Sequence, residues 1–102
     1  MKDSGILPAT LLGDACLTLE QLARAAAVEP EWVLRHMQEG FLPALPGTIA
    51  EWRFSSRDLW RVRQIHAVER DFDAVPELAA LVADMLEELE ALRLRLQRAG
   101  LD

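Results

Sequence analysis

The stretch TLEQLARAAAVEPEWVLRHMQEGFL, residues 18–42, decides how this chain folds, because it reads as two short helices joined by a tight turn. Thr18 suits the cap of the first helix and Gln21 follows three residues later as its capping-box partner, which satisfies backbone N–H groups at that end. Leu19, Leu22, Ala23 and Ala26 then fall on one face, and Ala23 is small enough for a second helix to cross closely. Val28 fills the turn. Pro30 fits the first position of the second helix, Val33, Leu34 and Met37 form its buried side, and Gly40 ends it in a left-handed conformation. The pattern is a helix-turn-helix, a motif whose usual task is to read DNA.

Working outward, residues 43–54 (PALPGTIAEWRF) open with two prolines and a glycine and close on an extended-looking run. That is how a short β-hairpin or wing reads. Trp52 and Phe54 alternate with Arg53, so the aromatic side closes the core and Arg53 points out. Ser55 caps a third helix with Asp58 at the capping-box position, and Leu59, Val62, Ile65, Val68 and Phe72 recur every three or four residues as its core stripe. Arg57, Arg61 and Arg63 lie on its other side and read as a solvated face rather than a phosphate grip. Trp60 sits off the main stripe and is expected to pack against the last helix.

Asp73, Val75 and Pro76 mark a break, after which Leu78, Val82, Met85, Leu89, Leu92 and Leu96 alternate by four and three. This heptad seam runs along about 35 Å of helix and calls for a partner helix. Glu77, Asp84, Glu87, Glu88 and Glu90 occupy the first part of the helix, and Arg93, Arg95 and Arg98 the last. Two parallel copies would set Glu against Glu, whereas two antiparallel copies set each acidic half beside the other's arginines, so an antiparallel homodimer is expected. The predicted organisation is an N-terminal arm over 1–14, a helix-turn-helix domain with wing over 15–75 and a coiled-coil helix over 76–99. The arm is expected to pin Ile6, Leu7, Leu11 or Leu12 on the core.

Composition narrows the chemistry. Eleven Lys and Arg against seventeen Asp and Glu leave a formal charge of −6 in 102 residues, which repels a polyanion and favours a basic partner surface. The imbalance is −2 over residues 18–54 and −3 over 76–102, with no basic patch anywhere. A single cysteine, Cys16, rules out an intramolecular disulfide and reads as a buried or idle thiol. With only His36 and His66 beside it, no metal-ligand set can be assembled. Gly40 and Gly47 are isolated turn residues, Ser55 and Ser56 read as helix caps, and no nucleophile has a base and an orienting acid. Neither an enzyme nor a bound cofactor is expected. No apolar run approaches the ~20 residues of a membrane span, and no signal-like segment opens the chain, so a soluble, cytoplasmic protein is expected.

The order of helix pair, wing, capped helix and long pairing helix resembles the MerR superfamily of regulators over residues 18–98. In that superfamily the second helix follows a pattern such as V-S-P-R-T-L-R-Y-Y. The matching run here is VEPEWVLRH, residues 28–36, with Glu29 at the serine, Glu31 and Leu34 at the two arginines, and Arg35 and His36 at the tyrosines. A recognition helix with Glu29, Glu31 and Glu39 against Arg35 repels phosphates instead of neutralising them. The segment Glu51-Trp52-Arg53-Phe54, the following SSRDLWRVRQIHAVERDFDA and the tail LVADMLEELEALRLRLQR are similar, in order and spacing, to the chaperone modulatory protein family, the CbpM-like proteins. That resemblance implies an all-α, MerR-like winged helix-turn-helix with a C-terminal dimerisation helix. It also implies a non-enzymatic inhibitor that binds the J-domain of a CbpA-type Hsp40 (DnaJ-like) co-chaperone and blocks its engagement with Hsp70. The expected partner-binding residues are the outward members of the second helix and wing: Glu29, Glu31, Trp32, Arg35, His36, Glu39, Trp52 and Arg53. A MerR-like DNA-binding transcriptional regulator is the alternative.

Overall fold

The computed structural model describes residues 16–100, and the expected arm over 1–14 lies outside them. Among the described residues there are four α-helices and no strand: α1 (Leu19–Ala26), α2 (Pro30–Gln38), α3 (Ser56–Phe72) and α4 (Pro76–Arg98). The protein is all-α. α1 begins on the expected capping box, in which Gln21 N–H donates to Thr18 Oγ1 at 3.1 Å and Thr18 N–H donates to Gln21 Oε1 at 2.9 Å. Such a cap contributes about 1 kcal/mol. α1 ends on Ala27 in the left-handed region, φ 60°, and Val28 is half-buried in the turn that follows.

α2 starts with Pro30 in its first turn, where the missing N–H has no intrahelical partner to lose. It closes on Gly40, φ 86°, with Phe41 N–H donating to His36 O at 2.9 Å and Gly40 N–H to Met37 O at 3.1 Å. This doubly bonded end satisfies carbonyls that the helix leaves open. Leu22, Val33, Leu59, Val62 and Ile65 form the fully buried centre, so that α1, α2 and α3 meet on one core with Leu42 and Phe54 closing it.

Residues 43–54 do not form the expected β wing. Pro43 and Pro46 bring no ladder N–H, and Thr48 and Glu51 close a capping box of their own, with Thr48 N–H donating to Glu51 Oε1 at 2.9 Å. The turn so formed is the 3₁₀ helix Ile49–Glu51. Gly47, φ 84°, fits beneath it, because a Cβ there would run into the Glu51 carboxylate. Extended pairing survives at one point only among the described residues: Phe54 N–H donates to Leu17 O at 2.7 Å and Leu17 N–H to Phe54 O at 2.9 Å.

α3 opens on the Ser55–Asp58 capping box and packs most extensively on α4, which runs back after the left-handed Asp73. The expected core stripe ends early. Val68 is the last apolar residue of α3 packed on the core, and Phe72, one turn further, is 76% exposed because the helix outruns what it packs against.

Candidate functional site

The residues expected to contact partners lie on two surfaces, the outer side of α2 with the segment before α3, and the outer side of α4. On α2 the helical period puts Val33 and Met37 inside and leaves Glu29, Glu31, Arg35 and Glu39 exposed. Glu29 precedes the helix without making a side-chain cap bond, so its carboxylate stays in solvent. His36 is not part of that surface, being only 2% exposed. Its ring stacks on Trp32 at a centroid distance of 3.6 Å, Nδ1 lies 2.8 Å from Trp32 O, and Nε2 lies 2.7 Å from Glu69 Oε2. The half-buried Trp32 is bound to the same carboxylate, its Nε1–H donating to Glu69 Oε1 at 3.1 Å.

Both oxygens of Glu69 are therefore committed to joining α2 to α3. Sequence reasoning missed Glu69, although a signal was available: it follows Ile65 by four residues and so shares the core stripe, where a carboxylate requires partners. His36 is thus buried rather than outward as expected, whereas Trp32 is half-buried.

In the segment before α3, Trp52 is half-buried against the core and edge-on to Phe54 at 6.3 Å. Its Nε1 is buried without a hydrogen-bond partner among the described residues. Arg53 points outward as expected, with Nη1 donating to Ala50 O at 3.0 Å and Trp52 O at 2.7 Å. The exposed portion of the expected partner surface thus consists of Glu29, Glu31, Arg35, Glu39 and Arg53. Cys16 is exposed at the start of the described chain.

α4 turns two different faces to its surroundings. Ala79, Ala80 and Ala83 are buried toward the body, while Leu78, Met85, Leu89, Leu92 and Leu96 of the heptad seam are exposed and Val82 is half-buried. The arginines of α3 are not the simple solvated face that was expected. Arg61, whose side chain is mostly buried, donates from Nε to Phe41 O at 3.0 Å and from Nη1 to Asp84 Oδ1 at 2.7 Å. Arg57 donates to Glu87 at 2.9 Å and Arg63 to Ala25 O at 2.8 Å. These links set the position of α4 on α3 and tie α3 to the end of α1. Trp60 is half-buried and lines a groove between α3 and the C-terminal half of α4, together with Leu59 and Leu94.

Among the described residues no cluster of three His, Cys, Asp or Glu side chains could hold a metal ion. No helix among them is long and apolar enough to cross a membrane. Comparison with family models, curated proteins and solved structures found no match for the chain.

Proposed function

We propose that this chain is a non-enzymatic modulator that binds the J-domain of a CbpA-type, DnaJ-like co-chaperone and keeps it from engaging Hsp70. The observation that carries the reading is the charge on the outer side of α2, where Glu29, Glu31 and Glu39 stand exposed with Arg35 as the one cation among them. A helix that reads DNA draws much of its affinity from neutralising phosphates, and this surface adds repulsion. A protein partner presenting a basic helix is its electrostatic complement. Glu29, Glu31, Arg35, Glu39 and Arg53 form the contact surface in this reading, since Trp32 and His36 turn toward Glu69.

The same reading makes α4 the element of a homodimer. Its seam is the same in both directions: reversed about Glu87, Leu78 meets Leu96, Val82 meets Leu92 and Met85 meets Leu89. An antiparallel pair of copies therefore buries like against like along the whole seam and sets the acidic first half beside the partner's arginine-bearing second half.

The test is titration of the full chain with the isolated J-domain of its own organism's co-chaperone, at low and high salt, with a Glu31→Lys variant alongside. Micromolar binding that weakens with salt and in the variant supports the reading. No binding at either salt overturns it. Sequence-selective DNA binding by the wild-type chain would favour the transcriptional regulator in its place.

A further inference from the structure

The open groove between α3 and the second half of α4 has a volume of about 550 Å³, in the range of sites that take small organic molecules. Its apolar lining comes from Leu59 and Trp60 of α3 and from Ala91 and Leu94 of α4. Four arginines line it too, Arg57 and Arg63 of α3 and Arg95 and Arg98 of α4. Two acids line it as well, and both are engaged, Glu87 by Arg57 at 2.9 Å and Glu90 by Arg93 at 3.3 Å. Arg95 and Arg98 have no acidic partner among the described residues. In a chain of formal charge −6 this is a local reversal of sign around an apolar cleft.

We infer that this groove binds an anionic amphiphile, a molecule with an apolar chain or ring system ending in a carboxylate, sulfonate or phosphate. The apolar part lies on Trp60 and Leu94, where water is poorly accommodated and its release favours binding. The head group takes charge-assisted hydrogen bonds from Arg95 and Arg98, whose planar forks match carboxylates and phosphates. Leu94 stands two residues from both Leu92 and Leu96, so on an α-helix the apolar contact of the groove lies on the side away from the heptad seam. The inference is independent of the J-domain reading.

Titration of the full chain with laurate, below its micellar range, against bound anilinonaphthalene sulfonate tests it. The comparison uses a Leu94→Asp/Arg98→Glu variant, altered at two exposed positions of the groove, and a Leu89→Lys variant, altered on the seam, with helix content checked by circular dichroism. Expected is one laurate per chain at micromolar concentration, weakened about tenfold or more in the groove variant and unchanged in the seam variant. Equal binding by the groove variant, or loss only in the seam variant, would overturn the inference, because the ligand would then lie elsewhere. Equal affinity for dodecyltrimethylammonium would overturn the role of the arginines. Absence of binding by both laurate and the dye would overturn the site as a whole and leave the groove to a partner helix.

Discussion

The two long faces of α4 are built from opposite residues. Toward α3 the helix presents Ala79, Ala80 and Ala83, and toward solvent it presents Leu78, Met85, Leu89 and Leu92, with Leu89 57% exposed. Full burial of a leucine or methionine side chain is worth about 1.5–3 kcal/mol, and alanine offers far less. A helix that served only its own domain would gain by turning the other way. What the alanine face provides is close approach, which lets Arg61 and Arg57 of α3 reach Asp84 and Glu87 of α4 directly. Small residues and ion pairs thus set where the helix lies, and the large apolar residues stay exposed on the face that the proposed pairing would cover.

Enlarging the close face breaks that division most severely. Ala83 is 0% exposed, so Ala83→Leu forces overpacking between α3 and α4 and should lower stability by about 1–3 kcal/mol in a urea denaturation series. A neutral effect would mean that the alanines leave slack rather than close contact. Arg61→Met keeps the buried stem of the side chain but removes its bonds to Phe41 O and Asp84, and about 1–2 kcal/mol of destabilisation is expected from the same measurement. The smallest effect belongs to the outer face. Leu89→Ala should change the stability of the isolated chain at high dilution by less than about 0.5 kcal/mol, because it removes surface that the fold does not bury. A loss as large as that of Ala83→Leu would show the seam to be packed within its own chain.

Much of this arrangement is legible in the residues themselves. Thr18 with Gln21 and Ser55 with Asp58 mark helix starts by a local chemistry that tertiary context rarely overrides, and the heptad of α4 announces a face with nothing of its own to cover it. The wing is not borne out because Trp52-Arg53-Phe54 alternates as a strand does, while the Thr48–Glu51 capping box and the backbone bonds Glu51 N–H to Thr48 O and Trp52 N–H to Ile49 O close a helical turn just before it. The burial of His36 is not legible in α2 because its partner is 33 positions away. Only the folded chain brings Glu69 to within 2.7 Å of His36 Nε2, and periodicity on α2 alone cannot report a hydrogen bond supplied by α3. The groove beside Trp60 is a property of how far α4 extends past α3, which no local pattern encodes.

The most direct test of the divided helix is the mass of the chain in solution. Sedimentation equilibrium at micromolar concentration should give twice the 11.5 kDa of one chain for the wild type and a single-chain mass for Leu89→Lys with its helix content intact. A single-chain mass for the wild type, or a dimer indifferent to a lysine in the middle of the seam, would contradict the assignment of this face to a second copy.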